Sequence, residues 1–191
     1  MALRFTFRSI LPSALIYGSL IGAAIAVDGI LHVFGWVRVG RYLGLAGSLV
    51  IVASFAYSLR KRRYFEFGAP KRFLQSHEVM GWLGALMVLV HGGVHFNAIL
   101  PWAALAAMMI VVASGLTGKL LLAEAREHLK VRATELRAAG HSKEDIERDL
   151  LGLGLLVDTM QQWRRVHLPL TMVFVGLATI HIVTTLVLWR W

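Results

Sequence analysis

Five long apolar runs, separated by short basic or turn-rich segments, dominate the pattern along the chain. Each run is close to the roughly 20 residues that an α-helix needs to cross the hydrocarbon core of a bilayer. The pattern predicts five transmembrane helices, at about residues 10–36, 42–59, 77–100, 102–122 and 167–189. We therefore expect an all-α membrane protein in which residues 1–191 form a single membrane domain, with the five spans in one helical bundle.

The segment 123–165 departs from this pattern because it is charged and rich in helix-forming residues. Gly140 interrupts it, and Ser142 with Asp145 has the spacing of a capping box at the start of a second helix. The sequence thus predicts a helical hairpin between the fourth and fifth spans. Pro101 is expected to separate the third span from the fourth.

Composition supports the membrane assignment, and the basic residues indicate an orientation. The chain is 57% hydrophobic, with a mean hydropathy of +0.64. Its formal net charge is +9, but the basic residues lie between apolar runs, so we expect no nucleic-acid partner. Of the 20 Lys and Arg residues, all except Arg38, Arg41 and Arg190 share one side of the membrane if the chain starts in the cytoplasm. The positive-inside rule then predicts a bacterial inner-membrane protein with a cytoplasmic N-terminus, a cytoplasmic hairpin and an external C-terminus.

The absence of cysteine limits the possible chemistry. It excludes disulfides, thiolate-ligated zinc, cysteine-ligated iron–sulfur clusters and the covalent attachment of a c-type haem. Any haem must be held without a covalent bond, and histidines are the strongest available ligands.

Four histidines recur at a matched spacing inside two of the apolar runs. His77 and His91 are fourteen residues apart in the third run, and His167 and His181 are fourteen apart in the fifth. On an α-helix this spacing is about 21 Å of rise and places both rings on nearly the same side. The third and fifth spans run in the same direction, so His77 is expected level with His167, and His91 level with His181. This arrangement predicts two haem irons, each held by two histidines.

Other polar residues near the two rims have candidate roles. Gly81, Gly84 and Gly176 would let a flat macrocycle approach the backbone. His95 lies one turn beyond His91 and is an alternative ligand, or it forms an outer quinone, metal or proton site with Asp28 and His32. The candidate counter-ions for haem propionates are Arg38 and Arg41 outside, and Lys71, Arg72, Arg164 and Arg165 inside. His128 and His141 are expected on the surface of the hairpin.

These motifs resemble the ferric reductase-like transmembrane domain. The resemblance covers about residues 75–189 and rests on the paired histidines, the segment Ser114-Gly115-Leu116-Thr117-Gly118, interpreted as a turn, and the lead Trp163-Arg164-Arg165-Val166-His167. It implies two non-covalent b-type haems, ligated by His77, His91, His167 and His181, that carry single electrons across the membrane. A similar double spacing occurs in the cytochrome b of quinol:cytochrome c reductases.

Departures from that family define the functional expectations. The chain has five spans rather than six, and no G-x-G-x-x-G nucleotide-binding segment follows a strand. We therefore expect the membrane subunit of a redox system, to which a separate cytoplasmic donor protein supplies electrons. The hairpin is either the docking surface for that donor or an amphipathic surface helix.

Two other functions fit the same sequence. One is a quinone-linked oxidoreductase with its quinone site at the outer haem, formed by Asp28, His32 and His95. The other is a haem-free membrane protein whose histidines relay protons or bind a metal, as a transporter or a scaffold.

Overall fold

The computed structural model describes residues 2–93, 98–162 and 164–188, and all regular secondary structure in these ranges is helical. The helices are α1 (Ala2–Val33), α2 (Val37–Ser54), α3 (Ala56–Lys61), α4 (Pro70–Gly92), α5 (Ile99–Ala138), α6 (Lys143–Gln162) and α7 (Arg164–Leu188). Within the described ranges, five segments are long and apolar enough to cross a membrane: Leu11–Val33, Val37–Lys61, Pro70–Gly92, Ile99–Ala138 and Arg165–Leu188. The predicted all-α architecture with five apolar helices of spanning length is confirmed, as expected of an integral membrane protein.

The boundary between the third and fourth spans differs from the expectation. Helix α4 ends at Gly92, where Gly93 adopts a φ of +51° that glycine tolerates and other residues rarely do. Helix α5 begins at Ile99, so Pro101 lies in its first turn, where the missing N–H of proline costs nothing. The chain therefore turns at Gly93 rather than at Pro101.

Helix α5 is longer than the expected fourth span. It runs for 40 residues without a break, which is about 60 Å. The segment 114–118, interpreted from the sequence as a turn, is helical throughout. Glycine is tolerated inside apolar helices, because a broken helix would leave backbone groups unsatisfied in lipid. Span four and the first half of the hairpin are thus one continuous helix.

The turn of the hairpin follows the predicted chemistry. Gly140 adopts a φ of +81°, and α6 packs back against α5. The Ser142 hydroxyl accepts a hydrogen bond from the Asp145 backbone N–H (3.2 Å) and donates one to its carboxylate (2.7 Å). The capping interaction expected at the start of α6 is confirmed. Its cytoplasmic location stays a prediction.

Small residues bring α2 and α4 into close contact. A Cβ atom on Gly47 would lie 2.9 Å from the Gly84 carbonyl oxygen, and one on Gly84 would lie 2.6 Å from Ile51 Cγ1. Such close backbone approach is the usual role of small residues between membrane helices. Gly84 was expected to face a macrocycle, and that prediction is wrong because the residue packs against α2 instead.

One buried cluster joins the helices that carry the candidate ligands. It contains Leu20 of α1, Ala85 of α4, Met108 of α5 and Phe174 of α7. Helices α4 and α7 both pack against α5. Yet among the described residues no Cα atom of α4 lies within 8 Å of a Cα atom of α7. The backbones of the two histidine-bearing helices are therefore not in direct contact, although both pack against α5.

Candidate functional site

The four candidate ligands form two pairs at two heights along the bundle. His77 and His91 lie in α4, and His167 and His181 lie in α7. His77 is close enough to His167 for the two rings to interact electrostatically, and the same holds for His91 and His181. The first histidine of one helix lies near the first of the other, and the second near the second, so α4 and α7 run in the same direction. The two pairs are about 21 Å apart along the helix axes.

Backbone carbonyl groups of α2 orient both rings of α4. The Nδ1 atom of His77 lies 3.1 Å from the Ser54 carbonyl oxygen, and that of His91 lies 3.1 Å from the Gly40 carbonyl oxygen. A carbonyl oxygen can only accept, so each Nδ1 must carry the proton and donate it. In a neutral imidazole the lone pair is then on Nε2, the atom that remains for a metal ion. Hydrogen bonds of this kind fix the orientation and tautomer of metal-binding histidines.

A break in the helix makes the Ser54 carbonyl available to His77. The amide of Ser58 would bond to this carbonyl in a continuous helix, but it bonds to the Phe55 carbonyl at 2.8 Å instead. The Ser54 hydroxyl donates to the Ile51 carbonyl at 2.6 Å, a contact that favours helix bending. The ring of Tyr57, just after the break, stacks on His77 with centroids 5.7 Å apart.

A buried hydroxyl group orients the partner ring on α7. The Ser114 Oγ atom lies 2.7 Å from Nδ1 of His167 and donates its own proton to the Val111 carbonyl at 2.7 Å. Because that single proton is used, the hydroxyl oxygen accepts from the Nδ1–H of His167. His167 therefore has the same tautomer as His77 and His91, with its lone pair on Nε2.

The His91–His181 pair is held differently. A Cβ atom on Gly44 would lie 2.5 Å from Cγ and Cδ2 of His91, so only glycine leaves room for this ring against α2. The His181 ring is half-buried, and within the described part of the chain neither of its nitrogens has a hydrogen-bond partner. The hydroxyl of Thr184 bonds to the His181 carbonyl oxygen at 2.9 Å, not to the ring.

The surroundings of the rings fit a flat cofactor between α4 and α7. Between the described Cα atoms, the backbones of α4 and α7 stay more than 8 Å apart, unlike the closely packed α2 and α4. Gly81 and Gly176 have open space where a side chain would lie, and their role beside a macrocycle stays a prediction. A Cβ atom on Gly115 would come within 3.4 Å of His167 Cε1, so this glycine gives the ring clearance on the α5 side. Two neutral imidazoles per site match the ligand set of a bis-histidine haem.

An apolar side chain separates the two levels. Phe174 is buried and lies seven residues from both His167 and His181, or about 10.5 Å from each along the axis. It belongs to the same cluster as Ala85, which lies between the two histidines of α4. The two pairs are thus separate sites, with closely packed apolar groups between them.

Basic residues lie near both levels. Arg72 is exposed in the first turn of α4, five residues before His77, and Arg165 is exposed two residues before His167. Arg38 and Arg41 are exposed in the first turns of α2 on either side of Gly40, whose carbonyl bonds to His91. Lys71 is also exposed at the start of α4, whereas the side chain of Arg164 lies outside the described part of the chain.

The expected outer polar cluster is present in part. The carboxylate of Asp28 lies 3.8 Å from the Cβ position of Gly93, at the end of α4 just beyond His91. Nδ1 of His32 is 2.9 Å from the Asp28 carbonyl oxygen and 3.5 Å from its carboxylate. His95, the third expected member, lies outside the described residues.

The structure adds groups whose action on the histidine rings the sequence did not predict. Ser114 and Gly44, and the carbonyl groups of Gly40 and Ser54, act on the ring positions rather than as ligands. One signal was present in the sequence. Gly40 and Ser54 of α2 are fourteen residues apart, the same interval that separates His77 and His91 on the antiparallel helix α4. Across the described ranges, no group of three or more His, Asp or Glu side chains is placed to hold a metal ion. The expected sites contain only two histidines each, so this finding does not bear on them. His128 and His141 are exposed on the hairpin, as predicted.

Comparisons with protein-family models, with curated proteins and with solved structures found no match to this chain.

Proposed function

We propose that this chain is a di-haem b-type cytochrome that relays single electrons across a membrane as the membrane subunit of a redox system. The observation that carries the proposal is the pairing of histidines from two parallel helices at two heights, with three of the four rings oriented so that Nε2 is available. A proton relay or a scaffold has no need of histidines paired at two heights with Nε2 free on three of the four rings.

The residues favour electron transfer over chemistry at an open metal position. His77 with His167 would hold one haem iron, and His91 with His181 would hold the other. Bound haem would supply one-electron oxidation and reduction, while this chain supplies the ligands, the apolar surroundings and the charges at the rims. The exposed Arg41, Arg72 and Arg165 are suited to pair with propionate carboxylates. The absence of cysteine excludes c-type attachment, and the resemblance to the ferric reductase-like domain favours b-type haems.

The partner in this proposal is a separate protein that delivers electrons from the cytoplasmic side. The part of α5 beyond the apolar segment, together with α6, is a pair of packed helices with charged, exposed side chains. Such a pair is a suitable docking surface for a soluble donor. Its residues include Glu144 and Asp145 in the first turn of α6.

The test compares single histidine variants for bound haem. We expect His167→Ala and His181→Ala each to lower the haem content of purified protein by about half, because each breaks one of two separate sites. His128→Ala is the matched control, since His128 is an exposed histidine in the same bundle and far along α5 from the pairs. Equal haem content in all three variants and the wild type would refute the ligand assignment.

A second candidate function is quinol oxidation or quinone reduction next to the His91–His181 pair. This quinone function is favoured by Asp28 of α1, whose carboxylate lies beside the end of α4, and by His32 one turn further along α1. A carboxylate beside a haem site is suited to exchange protons with a quinone head group. Asp28→Asn should then abolish quinol-dependent haem reduction while the haem spectrum is unchanged. Undiminished turnover with quinol in this variant would dismiss the quinone site.

A further inference from the structure

We propose that Ser114 makes the two histidine pairs unequal: by accepting a hydrogen bond from His167, it lowers the reduction potential of an iron held by the His77–His167 pair below that of an iron held by the His91–His181 pair. This inference rests on the proposed haem function and assigns a positioning residue to it.

The hydrogen bond of Ser114 is fixed by its surroundings. Ser114 is 5% exposed, and its Oγ atom is 2.7 Å from both the Val111 carbonyl oxygen and Nδ1 of His167. Since the proton of the hydroxyl is committed to Val111, the oxygen presents a lone pair to the ring. A hydroxyl group that donates its proton to a carbonyl group is a better hydrogen-bond acceptor, because hydrogen bonds in a chain polarise one another.

The two sites differ in the number of such acceptors. In the His77–His167 pair, both rings donate Nδ1–H, one to the Ser54 carbonyl and one to Ser114. In the His91–His181 pair, only His91 does so, to the Gly40 carbonyl. Within the described residues, the ring of His181 has no such partner.

This difference has a defined electronic consequence. An acceptor at Nδ1 draws the proton away from the ring and makes Nε2 a stronger electron donor. A stronger donor stabilises ferric over ferrous iron, and so lowers the reduction potential. In the haem-loaded protein, a single electron would then be held preferentially at the His91–His181 pair. If the positive-inside orientation holds, this bias directs electrons toward the outer side.

The test is a redox titration of the haem-loaded protein followed by absorbance. The wild type should show two separate one-electron waves. Ser114→Ala removes the acceptor and should move the lower wave upward, leaving the upper wave in place. Ser114→Thr keeps the hydroxyl and should restore a midpoint near that of the wild type. Ser19→Ala is the matched control: Ser19 also donates to the carbonyl group three residues earlier inside a span, at 2.7 Å to Ile16, and should move neither wave.

The outcomes separate this proposal from the function on which it rests. Two haems with coincident midpoints in the wild type would overturn the role of Ser114 and leave the di-haem assignment standing, without recourse to any variant. The role of Ser114 is also overturned, with the di-haem assignment intact, if Ser114→Ala moves neither wave or only the upper one. A shift of the lower wave in Ser114→Thr as large as that in Ser114→Ala has the same meaning. Protein without haem overturns both.

Discussion

The close fit of His91 against Gly44 gives a sharp test of the second histidine pair. In Gly44→Ala, the new methyl group would lie 2.5 Å from two carbon atoms of the ring and 2.7 Å from Nδ1. Non-bonded carbon atoms prefer about 3.5–4.0 Å, so the ring must move by about 1 Å. The hydrogen bond from His91 to Gly40 is already 3.1 Å long and would be lost in that movement.

The cost of this change should appear mainly as lost haem. Overpacking of a filled site costs about 1–3 kcal/mol. If this overpacking energy destabilises only the state in which the His91 ring is in its ligating position, haem binding at the His91–His181 pair weakens by about 5- to 150-fold. The assay is haem per polypeptide, measured over a series of haem concentrations, and we expect one high-affinity site to remain and one to weaken.

Gly22→Ala is the control for this experiment. Gly22 lies in the α1 span and has no atom within 4 Å of its Cβ position, so its replacement should leave both sites intact. Full occupancy of both sites in Gly44→Ala, with an unchanged spectrum, would show that His91 does not ligate a haem from the position described above.

Further expectations concern stability and the helix ends. Met108→Ala, at a fully buried position where four helices meet, should destabilise the protein by about 2–5 kcal/mol and lower its Tm in detergent; an unchanged Tm would contradict the buried cluster. Lys119→Met removes a half-exposed ion pair with Glu78, between α5 and α4, and should change the stability by no more than about 1 kcal/mol. A larger loss would mean that this pair is not solvated. Ser142→Ala removes the cap of α6 and should cost about 1 kcal/mol, seen as faster amide hydrogen exchange at the start of α6 with no change in bound haem.

Much of the architecture follows from the sequence because bilayer thickness sets the length of an apolar helix. The five runs had the right length, and six of their ten ends agree with the helices to within three residues. The third span, however, begins seven residues and ends eight residues earlier than expected, and the fourth helix continues 16 residues further. The residue at which α4 ends was harder to predict from the sequence. Proline was expected to mark the boundary, but a proline is compatible with a first helical turn, and the turn is made by Gly93 at a positive φ.

Contacts between helices were harder to infer than the helices themselves. The interval of fourteen residues predicted which histidines would lie level, because rise per residue is constant along a helix. It could not show that α2 supplies the carbonyl groups, since this depends on the close approach that Gly47 and Gly84 allow. The role of Ser114 was hidden for a similar reason: a serine inside an apolar helix can bond to its own backbone, and only the packing of α5 against α7 brings His167 to it.

The most direct test of the central claim is the haem-to-polypeptide ratio of the purified wild-type protein, together with its reduced-minus-oxidised absorbance spectrum. We expect about two haems per chain and the sharp α-band of six-coordinate, bis-histidine b-type haem. Protein expressed with abundant haem that contains none, or a spectrum typical of an open iron position, would contradict the account of two histidine pairs as electron-transfer sites.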